Sequence, residues 1–210
     1  MASVLLRNHD GGMIRQASRE DFPAILKLQL LAFGEVAERL GLASIPPLEQ
    51  TLEHLREEAR NSVFFKYTEN SRIVGSVRGC LDGKNVCHVG KLVVDPARRN
   101  RGIGQQLMLA LEEHFRGQAA AYLLFTSADT PETLYLYLKL GYTELYRKEA
   151  GGMTTVFLEK KAGGRRKPSF HQLPHRQPGD GAYQQKSRRN QEGRPSQHPR
   201  SQQKRHGAHQ

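Results

Sequence analysis

The chain has 210 residues, only 37% of them hydrophobic, and a formal net charge of +11; a chain folded from end to end carries a larger apolar share. The charge is localised: Lys161 to Gln210 hold 12 of the 32 Lys+Arg and 2 of the 21 Asp+Glu, which is +10 of the +11. Residues 1–160 are nearly neutral, so the basic balance does not mark them as a nucleic-acid-binding domain, and the two cysteines, Cys80 and Cys87, are too few for a metal cluster.

Residues 1–12 read as a short flexible leader with no secretory pattern, and no apolar run reaches the length that spans a bilayer. A soluble, cytoplasmic protein with reduced thiols is expected. Met13 to Ala17 reads as a strand, and Ser18 with Asp21 forms a variant capping box for a helix lined by Phe22, Ile25, Leu26 and Leu30. A second helix enters through Pro46 and Pro47 and buries Leu48, Leu52, Leu55 and Ala59, with Glu49, Glu53, Glu57 and Glu58 on a mostly solvated face. Val63 to Tyr67, Arg72 to Leu81 and Val86 to Val94 are β-rich runs separated by turn compositions, an antiparallel meander. A helix from Ile103 to Phe115, a strand from Tyr122 to Thr126, a helix from Pro131 to Leu140 and strands near Thr143 to Arg147 and Thr154 to Glu159 follow. The order predicts one α/β domain over residues 13–160. Residues 161–210, rich in Gln, Arg, Pro, Gly and His, read as a disordered basic tail.

The most informative stretch runs from Leu92 through Val93, Val94, Asp95 and Pro96 to Arg99, Asn100, Arg101, Gly102, Ile103 and Gly104. A buried strand stops at Asp-Pro and re-emerges as a helix. Gly102 and Gly104 permit a tight turn and a close backbone approach, and the amides of residues 100–104 become donors at the positive helix end, which suits a phosphate or pyrophosphate. No Gly-Lys-Ser/Thr follows, and Leu107 stands where a dinucleotide fold wants its third glycine. Taken alone, the stretch also fits a plain strand-to-helix loop with a solubilising arginine cluster.

Arg99-x-x-Gly102-x-Gly104 after a strand ending in Val-Asp-Pro resembles the acyl-CoA pyrophosphate motif of the GNAT superfamily. Leu136-Tyr137-Leu138-Lys139-Leu140-Gly141-Tyr142 resembles its second signature. The resemblance implies a splayed mixed sheet flanked by helices, with acetyl-CoA lying where the strands Val86 to Val94 and Tyr122 to Thr126 diverge. It implies a pantetheine arm paired with the backbone of Leu92, Val93 and Val94, and a pyrophosphate on the segment Arg99, Asn100, Arg101, Gly102, Ile103 and Gly104. No metal is implied.

N-acylation needs a neutral attacking amine, stabilisation of an oxyanion and a proton for the leaving thiolate. Tyr137 matches the family's general acid, since a phenol stays protonated at neutral pH; without the motif it would pass for a core aromatic. Tyr135 is the nearby alternative, turned about 200° away on the helix. His88 is the candidate base, acting through water, although a lone strand histidine is also commonly a packing residue. Strict alternation puts it on the face of Gly90, Leu92 and Val94, with Lys91 on the other. The backbone amide near Leu92 is the candidate oxyanion donor. Many relatives carry an asparagine about seven residues before the tyrosine, where this chain has Thr130 and Pro131.

The expected function is transfer of an acetyl group from acetyl-CoA to a primary amine in a ternary complex. The competing reading is a non-catalytic CoA-binding module tethered to nucleic acid by its basic tail. The acceptor, a small molecule or a protein amine, would be set by the loop after Leu31, the segment Gly34 to Leu48 and the loops flanking Thr126 to Pro131. Polyanion binding falls to the tail. Nothing in the sequence sets the oligomeric state.

Overall fold

The computed structural model describes residues 6–7, 12–150 and 152–163. Its strands are β1 (Leu6–Arg7), β2 (Met13–Gln16), β3 (Val63–Glu69), β4 (Arg72–Leu81), β5 (Val86–Val94), β6 (Ala121–Ser127), β7 (Thr143–Ala150) and β8 (Met153–Lys161). Its α-helices are α1 (Phe22–Arg39), α2 (Leu52–Glu58), α3 (Ile103–His114) and α4 (Pro131–Lys139). The strands form one mixed sheet in the order β1-β2-β3-β4-β5-β6-β8-β7. β1 falls within the segment expected to be a flexible leader, and the basic tail lies outside the described residues from position 164.

The expected alternation of the meander explains the layering. In β3, Phe64 packs with Phe22, Ile25 and Leu55 of α1 and α2. Phe65 and Tyr67 turn the other way, into the main core with Ile103, Leu107, Met108 and Leu111 of α3 and with Tyr137 and Leu140 of α4. Two apolar layers therefore bury opposite faces of the sheet, each removing contiguous apolar surface from water.

The helix opening at Ser18 forms as expected: the Ser18 amide donates to Asp21 Oδ2 at 2.8 Å. α1 runs further than its hydrophobic pattern indicated. Gly34 to Arg39 are helical, not loop, and the face buried is Phe22, Ile25, Leu28, Gln29, Ala32 and Ala37, with Leu30 38% exposed. Pro46–Leu48 forms a separate 3-10 turn before α2. Glu58, expected on a solvated face, turns inward and lies 3.5 Å from Arg78.

β5 and β6 are the parallel pair, registered only at Val86↔Ala121, Cys87↔Tyr122 and His88↔Leu123. Beyond His88 no pairing continues among the described residues, although both strands do. The two strands thus part past His88 and leave a cleft between their facing edges.

Candidate active site

The cleft is walled by the segment singled out in the sequence. Asp95 ends β5 and its side chain accepts from the Ala97 amide at 3.0 Å, starting a 3-10 turn over Pro96–Arg98. Asn100 (φ 61°) and Gly102 (φ 75°) are both left-handed, a conformation open to glycine and tolerated by asparagine, and they swing the chain into α3. The first helical amides lack intrahelical acceptors, and among the described residues those of Asn100, Arg101 and Gly102 donate to no backbone carbonyl. Unpaired amides at a helix N-terminus are an arrangement that suits an anion, and the phosphates of a CoA are of that chemistry.

Gly104 sits where the two halves of the cleft meet. A Cβ there would lie 3.3 Å from Leu136 of α4, 3.7 Å from Leu92 and 3.8 Å from Val94. Tyr137 follows Leu136 directly on α4. Tyr137 is 6% exposed and packs against Tyr142 with ring centroids 5.9 Å apart; burial pushes its hydroxyl well above the usual phenol range. Tyr142 is held in turn by Glu112 Oε1, to which its hydroxyl donates at 3.0 Å. Tyr135 is 68% exposed. Thr130, at the family's asparagine position, is buried and donates to Ser127 O at 2.8 Å, so its hydroxyl is turned to the loop itself.

The arginines of the loop divide. Arg98 Nε and Arg101 Nη1 both donate to Glu69 Oε2, at 3.1 and 3.2 Å, and that carboxylate is largely buried. Arg99 Nη1 donates to Glu35 Oε2 of α1 at 2.8 Å. The sequence does not pair these arginines with Glu69 or Glu35, because nothing local to the loop points to residues so distant along the chain.

Strand β5 corrects the expected alternation. Gly90 pairs with Arg78 and Val93 with Ser76, so β5 carries one residue more than β4 between them. Lys91 takes up that extra residue with φ 53°, a β-bulge. The phase flips across it: Leu92 and Val94 pack against the α3 and α4 core, whereas His88 and Gly90, registered with Cys80 and Arg78, face the α1 and α2 side. His88 therefore does not share a face with Leu92 and Val94, and Lys91 reaches the α1 and α2 side, where its Nζ donates to Gln50 Oε1.

His88 Nε2 lies 3.1 Å from Asp82 Oδ2. Burial works to raise the Asp82 carboxyl, but hydrogen bonds from the Val86 amide, His88 and the Lys84 amide outweigh it and hold the group below its ordinary range. A carboxylate that stays ionised can fix the imidazole's tautomer and orientation.

A family model described as the acetyltransferase (GNAT) family matches residues 22–142, which contain both the anion loop and Tyr137. The chain belongs to this family. Among curated proteins it is 39% identical over 59 residues to glucosamine 6-phosphate N-acetyltransferase 1 of Oryza sativa subsp. japonica, which covers 28% of this chain and 34% of that relative. The match thus spans about a third of the relative's length. Similar solved structures include the PaiA N-acetyltransferase of Thermoplasma acidophilum in complex with coenzyme A, with a TM-score of 0.60, 18% identity and coverage of 71% and 98% of the two chains. Another is the ribosomal-protein-S18-alanine N-acetyltransferase of Escherichia coli, with a TM-score of 0.61, 14% identity and coverage of 77% and 99%. At these identities they establish the fold of this GNAT protein. Its described residues include no helix long and apolar enough to cross a membrane.

Proposed function

We propose that this protein transfers the acetyl group of acetyl-CoA to a primary amine by direct attack within a ternary complex. The observation that carries the reading is the convergence at Gly104, where the anion loop, the split edge of β5 and the helix bearing Tyr137 meet within van der Waals distance. The amides of Asn100 to Gly104, with Arg99, hold the pyrophosphate. The edge of β5 toward β6 at Leu92, Val93 and Val94, which among the described residues no strand covers past His88, receives the pantetheine arm as an added strand. Acetyl-CoA supplies an activated thioester. Tyr137, kept protonated by burial, donates its proton as the thiolate leaves. His88, oriented by Asp82, takes the amine's proton through water from the α1 and α2 side.

The relatives' names give acceptors as unlike as an amino sugar phosphate and a ribosomal protein's alanine, so the reaction class carries over more readily than the acceptor. A cytoplasmic setting suits the two unbridged cysteines. The charge of residues 161–210 supports weak polyanion binding by that segment, which truncation after Lys160 and RNA binding at two salt concentrations would test. The decisive assay for the reaction is CoA thiol release from acetyl-CoA with a panel of amines and peptides. Sustained release with one acceptor is expected; CoA binding without release from any acceptor would leave a non-catalytic module.

A further inference from the structure

The α1 and α2 side of the cleft holds a polar cluster that the acyl-transfer roles leave unused. Lys91 lies mid-strand yet is left-handed, a conformation that strains a non-glycine residue and persists only where the surroundings enforce it. The bulge sends its half-buried ammonium to Gln50 Oε1 at 2.5 Å. Gln50 Oε1 also accepts from Gln29 Nε2 at 2.9 Å, and Gln29, 1% exposed, is fixed by Pro47 O at 2.8 Å. The ammonium is therefore aimed by Gln50, which the buried Gln29 holds in place, and among the described residues no carboxylate hydrogen-bonds to the ammonium.

Arg78 stands beside it on β4, registered with Gly90. Glu58 of α2 approaches Arg78 only to 3.5 Å, and two buried atoms of that pair, Arg78 Nε and Glu58 Oε2, have no partner among the described residues. Gly90 leaves the strip between His88 and Lys91 bare: the nearest atoms to a Cβ there would be the Arg78 guanidinium, at 3.6 Å. The charged and polar groups facing Lys91 are thus Glu58 from α2, Arg78 from β4, Gln50 before α2, Gln29 from α1, and His88 on its own strand. Glu58 offsets Arg78, so one cation is left over. Burial chiefly, with Arg78 adding to it and Glu58 opposing, brings the Lys91 ammonium down to about 8, the behaviour of a cation short of a counter-charge.

We propose that Lys91 and Arg78 form a subsite for an anionic group on the acceptor, so that the amine acetylated is a small molecule bearing a phosphate or carboxylate and not a polycation. The inference rests on the N-acetyltransferase reading above. Lys91 Nζ and Arg78 Nε supply two donors for the anion, and Glu58 Oε2 supplies an acceptor for a neighbouring hydroxyl or ammonium of the same molecule. His88, on the same face, then meets the amine.

The test uses matched acceptors: glucosamine 6-phosphate against glucosamine, and an α-amino acid against its decarboxylated amine. The wild-type kcat/KM should favour the anionic member of one pair by about tenfold or more, the scale of a charge-assisted hydrogen bond, and the pair that shows it identifies the anion. Lys91→Met should collapse that ratio toward one, and Lys91→Arg should keep part of it. A wild-type preference for the neutral member of both pairs, or an equal fall for both members in Lys91→Met, would overturn the subsite. If no amine in any panel releases CoA, the acyltransfer reading fails separately. Calorimetry with inorganic phosphate then decides the subsite: binding that Lys91→Met weakens sustains it, and binding that is absent or unchanged overturns it.

Discussion

Gly104 at the start of α3 and Leu136 on α4 touch so closely that a single added methyl group on the glycine would sit 3.3 Å from Leu136 Cδ2. This contact joins the anion loop to the helix that carries Tyr137, so the two motifs act as one wall of the cleft. Substitution at Gly104 should accordingly affect both cofactor affinity and the placement of the acid.

Gly104→Asp and Gly102→Asp are expected to raise the KM for acetyl-CoA by at least about tenfold, each placing a like charge where the phosphates are proposed to bind. Gly102→Ala should also lower stability by about 1 kcal/mol, because φ there is 75°. Steady-state kinetics and urea unfolding measure the two effects. Unchanged CoA affinity in folded Asp variants would remove the loop from the cofactor site.

Tyr137→Phe should reduce kcat by about 100-fold while CoA binding stays nearly constant, since only a proton donor is lost. Tyr135→Phe, at a residue 68% exposed, serves as the control and should leave kcat unaltered. A damaging Tyr135 change beside a silent Tyr137 change would reassign the acid.

Glu69 anchors the loop from outside. It takes both Arg98 and Arg101 on one oxygen, so these two guanidinium groups are committed to the protein and not to the phosphates. Glu69→Gln should therefore raise the KM for acetyl-CoA severalfold with little change in kcat, by loosening the backbone that presents the amides. The cost in stability should be small, about 1 kcal/mol or less, because both arginines are more than one-third exposed and screened by solvent. An unchanged KM would mean that the turn at Pro96–Arg98 holds the loop unaided.

Much of this could be read from the residues alone. The bounds of β4 and β5 follow from alternation between turn-forming segments, and the loop from Asp95 to Gly104 has the spacing that its backbone requires. The bulge at Lys91 was not legible, because it is marked by neither glycine nor proline and a lysine rarely adopts that backbone. Alternation carried across it put His88 on the wrong face relative to Leu92. The continuation of α1 through Gly34 was equally hidden, since Ala32 and Ala37 are packed by α1's tertiary contacts and form no strong apolar stripe of their own. Ion pairs such as Arg99 with Glu35 depend on which elements meet in space, which local pattern does not encode.

The bulge also makes a prediction about pH. The Lys91 ammonium titrates at about 8 in the folded chain, against about 10.4 when unfolded. Between those values the unfolded chain binds more protons, so stability rises with pH across that window. Below about pH 8 both states are charged, and the cost of burying the ammonium is fully present; above about pH 10.4 both are neutral and it is gone. Lys91→Met should therefore be more stable than the wild type near pH 7, and its advantage should shrink steadily as the pH rises toward about 10. Urea unfolding of both proteins at a series of pH values measures this, and other groups that titrate in the same range largely cancel in the difference. Saturating amounts of a ligand that occupies the Lys91 subsite should erase the advantage of the variant at pH 7 as well, because a bound anion returns the missing counter-charge to the wild type. A variant less stable than the wild type at every pH would show instead that the hydrogen bond to Gln50 outweighs the burial of the charge.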